Sequence, residues 1–92
     1  MKLLKFEASW CHNCKHLEIP LKEMAAVYEI PLVKIDIDED PETALKYSIR
    51  SLPTTILLGD NEEVLGTFTG VRTSTDIEKW LRQASVVQQV MP

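Results

Sequence analysis

Cys11 and Cys14 stand three positions apart, where a short alternating segment gives way to a helical one, and they are the chain's only cysteines. A disulfide between them closes too short a loop to constrain much of the unfolded chain, so it cannot staple a fold. The pair is therefore there for its chemistry. In a reducing compartment, two cysteines this close are redox-active or metal-binding before they are structural.

The flanking pattern sets the local structure. Lys2 to Ala8 carries Leu3, Leu4, Phe6 and Ala8 and suits a strand; the Trp10-Cys11 turn then leads into a helix. At about 100° per residue, Cys14, Leu17, Leu21, Met24, Ala25 and Tyr28 share one apolar arc, while Cys11, His12 and His16 fall off it. Cys14 is thus expected to face inward and Cys11 outward. Pro20 lies in the helix interior, where its ring removes a donor and crowds the preceding turn.

Beyond Pro31, Leu32 to Ile37 reads as a second strand, and Asp40 with Pro41 as the cap and first turn of a short helix through Tyr47. Thr54 to Leu58 and Val64 to Thr69 form a hairpin around Gly59-Asp60-Asn61. Thr75 with Glu78 reads as a capping box ahead of a last helix with the stripe Ile77, Trp80, Leu81 and Ala84. The tail from Val86 to Pro92 is expected to fray. The order is strand-helix-strand-helix-strand-strand-helix, in one domain spanning 1–92.

Bulk properties exclude some functions. Net charge is −4 with the bases scattered, so no basic patch favours nucleic acid. No run approaches the roughly 20 apolar residues of a membrane span, and no long apolar stretch opens the chain, so a cytoplasmic location is expected. The acidic run from Asp36 to Glu42 fails as a calcium loop: in a register starting at Asp36, Pro41 stands where glycine belongs and Tyr47 where glutamate belongs. It fits a strand end and a helix N-terminus better.

A cysteine at a helix N-terminus is held toward its thiolate by unpaired backbone N–H groups and the helix dipole. Cys11 is so placed. One turn on, Cys14 is placed to attack a mixed disulfide formed on Cys11, releasing a reduced substrate. Zinc is the competing chemistry, since Cys11, His12, Cys14 and His16 are all possible ligands, but one helix cannot bring His16 and Cys14 to the same tetrahedral centre.

Trp10-Cys11-His12-Asn13-Cys14-Lys15, then Ile49-Arg50-Ser51-Leu52-Pro53-Thr54, then Gly70 resemble the thioredoxin family in order and spacing, and Asp38 to Tyr47 is similar to the family's second crossover. The resemblance covers nearly the whole chain. It implies an α/β thioredoxin-like fold: a mixed four-stranded sheet, order 2-1-3-4, flanked by helices and lacking the extra N-terminal strand and helix of full-length thioredoxins. It also implies a redox-active Cys11–Cys14 disulfide and a cis Leu52–Pro53 bond beside it. Leu52 would hold an extended substrate peptide through its backbone, with Gly70 and Val71 as the other wall and Trp10 and His12 as contacts. The implied activity is a monomeric cytosolic disulfide reductase without a cofactor. Its partners would be disulfide-containing proteins and a separate reductase as electron donor.

The chain departs from that pattern in three ways. His12-Asn13 stands where thioredoxins usually carry Gly-Pro, and a protonated His12 would stabilise the Cys11 thiolate and raise the potential. The size is closer to that of glutaredoxins, and a glutathione-dependent reaction would use Lys15, Arg50 or Arg72 to hold carboxylates. Lys5 replaces the family's buried aspartate. Glu7, on the same face of the strand, is the expected proton acceptor for Cys14, with Lys5 and Lys34 compensating its charge; the bland reading makes Lys5 and Glu7 a surface pair. A rival of another class is a redox-silent subunit that binds a protein through the same groove. Trp80 is expected in the core and His16 on a solvated face.

Overall fold

Alternation and helical periodicity produce the expected elements with boundaries moved by a residue or two: β1 (Lys2–Glu7), α1 (His12–Val27), β2 (Leu32–Asp36), α2 (Pro41–Lys46), β3 (Thr54–Leu58), β4 (Val64–Thr69) and α3 (Ser74–Val90). The computed structural model describes the backbone of residues 1–90 and the side chains of residues 1–85. Of the tail expected to fray, the helix continues to Val90, and Met91 and Pro92 lie outside the described residues.

The four strands form one sheet in the order β2-β1-β3-β4. β1 and β2 are parallel, with Phe6 opposite Ile35, and α1 is their crossover. β3 runs antiparallel to both β1 and β4. This is the expected order.

Because side chains alternate across a strand, the sheet has two distinct faces. On one, Leu3 and Leu57 meet Leu17, Leu21 and Met24 of α1 and Ile77, Leu81 and Ala84 of α3. On the other, Leu4, Phe6, Ile56 and Leu58 are covered by Ala44 and Tyr47 around α2 and by Ile49 and Leu52. The predicted inward arc of α1 is buried through Ala25, while Tyr28 is half-buried and donates its hydroxyl proton to Glu78 at 3.0 Å.

Local signals were used with some substitutions. Asp40 caps α2 by accepting from the Thr43 amide at 3.2 Å, and Asp36 closes β2 by accepting from the Asp38 amide at 2.8 Å. The acidic run is thus partly turn and cap. The hairpin turn reaches Glu63, whose carbonyl accepts from Gly59 at 2.8 Å, and Glu62 takes the left-handed conformation with φ of 61°. α3 is capped by Thr73 and not by Thr75: Thr73 Oγ1 accepts from the Asp76 amide at 3.2 Å, and the helix already begins at Ser74. Thr75 lies inside the first turn, and Glu78 is turned to Tyr28.

Trp80 is half-buried, its ring edge-on to Phe68 at 4.8 Å, so it seals the rim of the core and does not lie in its interior. Gly66 permits this approach. A Cβ there would stand 3.1 Å from Trp80 Nε1 and 3.3 Å from Ala84 Cβ. Gly66→Val is expected to destabilise the fold by about 1–3 kcal/mol through overpacking, read as a lower thermal midpoint with altered tryptophan fluorescence. An unchanged midpoint would mean that α3 moves aside without cost.

Candidate functional site

Both cysteines lie where the C-terminal end of β1 feeds α1, and they are joined in a disulfide with Cα atoms 5.3 Å apart. Cys11 is the N-cap of α1, in extended backbone, and its sulfur accepts from the Cys14 amide at 3.2 Å. Its own amide donates to the Ala8 carbonyl at 3.1 Å, which fixes the turn. An N-cap sulfur facing a free helix N–H is suited to carry negative charge when the pair is reduced.

Cys14 is 2% exposed, as expected from its arc, but Cys11 is only 7% exposed and does not point freely outward. The helical wheel does not apply to it, because a cap residue has non-helical backbone. Ala8, Ile37 and Leu52 pack around the disulfide and leave Cys11 a narrow opening. That opening gives onto a cavity of about 400 Å³ lined by Trp10, His12, Ile37, Ile49, Arg50 and Leu52. A larger hollow of about 590 Å³ beside Met1 and the β3–β4 turn has none of this chemistry.

Three elements shape the groove. The Leu52–Pro53 peptide is cis, and among the described residues neither the Leu52 amide nor its carbonyl has a backbone partner. Ile37 is drawn to the site by its amide, which donates to the Glu7 carbonyl at 3.0 Å and extends the β1–β2 ladder past the last strand residue. Trp10, 68% exposed, is held by its indole N–H donating to Asp38 at 3.0 Å. Gly70, with φ of 82°, donates its amide to the Pro53 carbonyl at 2.9 Å and so stands behind the loop, while Val71 is exposed. Neither lines the cavity beside Cys11, which Ile37 and Ile49 line instead.

Sequence reasoning did not single out Ile37, Ile49 or Asp38 for the site. Ile37 and Ile49 are ordinary apolar residues at element ends, and only tertiary contacts bring them to the sulfur. The basic residues considered for glutathione are dispersed: Arg50 is in the groove, Arg72 lies over the Phe68 ring at 4.8 Å, and Lys15 faces a different cavity. His12 and His16 are both exposed, with ring centroids 5.8 Å apart. Among the described residues no cluster of three or more His, Cys, Asp or Glu side chains is arranged to hold a metal ion.

Behind the disulfide a second cavity, of about 280 Å³, is bounded by Lys5, Glu7, Cys14, Glu18 and Lys34. Lys5 is 1% exposed and its Nζ lies 2.8 Å from Glu7 Oε1, whose side chain is 25% exposed. A surface pair does not describe this arrangement. Lys34, by contrast, is not buried: β2 is an edge strand, and the side chain lies 46% exposed with Nζ 2.6 Å from Glu18 Oε1. The hydrogen bond to Lys34 holds the Glu18 carboxyl below its ordinary value, and the same bond raises Lys34. Glu18 is the anion that Lys34 compensates.

With this geometry in view, the thioredoxin family model matches residues 1–83. A thioredoxin of Staphylococcus aureus is 42% identical over 66 residues, covering 70% of this chain and 64% of that protein. The chain thus spans just under two thirds of the length of the curated relatives it matches. The structure of a reduced Schistosoma mansoni thioredoxin pre-protein superimposes with a TM-score of 0.78 at 33% identity, over 88% of this chain and 75% of that one. Thioredoxin 1 of Thermosipho africanus shares the fold, with a TM-score of 0.83 at 20% identity over 97% of this chain and 99% of that chain.

Proposed function

The chain belongs to the thioredoxin family, and from that premise we propose that it is a thiol–disulfide oxidoreductase that reduces disulfides in protein substrates. The observation that carries this reading is the Cys11–Cys14 disulfide at the first turn of α1, one sulfur opening on a groove and the other buried. In the dithiol form the Cys11 thiolate attacks a substrate disulfide, forming a mixed disulfide and expelling one substrate thiolate. The Cys14 thiolate then attacks Cys11 Sγ, closing the Cys11–Cys14 bond and releasing the second substrate thiolate.

Substrate is held along Leu52, whose unpaired backbone groups suit an extended peptide; Trp10, Ile37 and Ile49 form the apolar bed, with His12 as a polar contact beside Cys11. Pro53 presents Leu52 to the peptide, and Gly70, whose amide donates to the Pro53 carbonyl, with exposed Val71 forms the wall on the other side of that loop. Glu7 accepts the Cys14 proton. A separate reductase restores the dithiol in a cytoplasmic setting, where a close cysteine pair is kept in exchange. Among the described residues no helix is long and apolar enough to cross a membrane. Dispersal of Lys15, Arg50 and Arg72 supports protein substrates over glutathione.

The test is Cys14→Ser in the presence of a disulfide-bonded protein. Attack by Cys11 continues but resolution stops, so a stable covalent adduct is expected on non-reducing gels, absent from Cys11→Ser and dissolved by dithiothreitol. Failure to accumulate any adduct, with Cys11 shown to be free, would overturn the reading.

A further inference from the structure

Lys5 is the least expected residue in the fold. It continues the Leu3 face of β1, beneath α1, where an apolar side chain would serve packing better and an ammonium is costly to bury. Its neighbours across the ladders are Lys34 of β2 and Thr55 of β3. Thr55 is fully buried, and its hydroxyl has no hydrogen-bond partner among the described residues. An ammonium carries three donors, and the carboxylate that Lys5 meets is that of Glu7. The arrangement makes sense if the charge acts on Cys14, which lines the cavity behind the disulfide together with Lys5 and is itself buried.

We propose that Lys5 is a positioning residue for the exchange reaction, whose buried ammonium stabilises the Cys14 thiolate and so favours opening of the Cys11–Cys14 disulfide. This rests on the oxidoreductase reading and adds a direction to it. When a donor thiolate attacks Cys11 Sγ, a new sulfur–sulfur bond forms there, the Cys11–Cys14 bond breaks, and its electron pair leaves on Cys14 Sγ. That thiolate emerges on a residue only 2% exposed, behind which Lys5 is 1% exposed, and between groups so buried a positive charge is weakly screened.

The other charges facing the pocket are all nearer to water than Lys5. From α1, Glu18 is neutralised by Lys34 of β2 at 2.6 Å, toward solvent. Lys15 of α1 is exposed and Asp36 of β2 half-buried. Glu7 is Lys5's own partner, but a quarter of its side chain reaches water, whereas Lys5 reaches almost none. The least screened charge behind Cys14 is positive.

The experiment compares Lys5→Met, Glu7→Gln and the double variant with the parent protein by equilibrium titration in glutathione buffers at several pH values. Lys5→Met is expected to shift the dithiol–disulfide constant about tenfold toward the disulfide, about 30 mV more negative, and Glu7→Gln to shift it the other way. The double variant should keep most of the Lys5→Met shift. An unchanged constant in Lys5→Met, or a double variant restored to the parent value, overturns the proposal.

Should Lys5→Met not fold, the Cys14 thiol is titrated by NMR in a Cys11→Ser background that retains Lys5. An inflection below the ordinary thiol value of about 8.5 supports the proposal, and one at or above it overturns it. This titration needs no substrate. A protein that reduces no disulfide would therefore sink the functional reading, while the thiol titration still reports on Lys5.

Discussion

Cys11→Ser is expected to lower the rate of protein-disulfide reduction by at least about 10³-fold, to the level of dithiothreitol alone, without unfolding the protein. The side chain is the N-cap of α1, and serine is itself a good cap, so the Cys14 amide keeps an acceptor and the helix start survives. What is lost is the one sulfur that opens on the groove. Cys14 cannot replace it, because it is 2% exposed and faces the rear cavity. A coupled assay with dithiothreitol as electron source, run beside a thermal melt, separates the two effects. Residual activity within tenfold of the parent would mean that Cys11 is not the nucleophile.

Phe6→Ala should produce the largest loss of stability, about 3–5 kcal/mol. Phe6 is fully buried near the C-terminal end of β1, paired with Ile35 and Thr54, and its ring lies 5.8 Å from that of Tyr47. Removing it leaves a cavity among Leu4, Ile56 and Leu58 that the sheet cannot close, since β1 is hydrogen-bonded on both sides. For a small domain stable by about 5–15 kcal/mol, that is a large fraction of the total. Leu52 rests on the same cluster, so the groove loses its backing as well. A denaturant midpoint close to the parent value would show that the α2 face repacks more freely than its burial indicates.

The strands, their order and the place of the cysteines were legible because each rests on a short-range pattern. Leu3, Leu4 and Phe6 make a short apolar run, the α1 arc repeats at helical spacing, and Asp40-Pro41 starts a helix by local chemistry. What escaped depends on tertiary context. The depth of Cys11 is set by Leu52 and Ile37 folding over it from distant parts of the chain. Thr73 and Thr75 each precede an acid by three residues, so the cap had two candidate registers, and the helix uses the first. Lys5 is buried and Lys34 exposed because β1 is central and β2 is an edge, so only Lys5 meets Glu7 and Lys34 pairs with Glu18. No rule of composition places a lysine in a core. Its burial is where local and global preferences conflict, and such conflicts gather at functional sites.

The most direct test of the account is the midpoint potential of the Cys11–Cys14 pair, titrated in dithiothreitol and glutathione buffers and followed by Trp10 fluorescence. Thioredoxins themselves lie near about −270 mV, a family value and not one derived from this site. With the proposed action of Lys5 on the Cys14 thiolate favouring the dithiol, a reversible two-electron transition at or above about −270 mV is expected. A pair that stays oxidised to below about −300 mV would be a structural disulfide, and the exchange reaction built on it would be wrong.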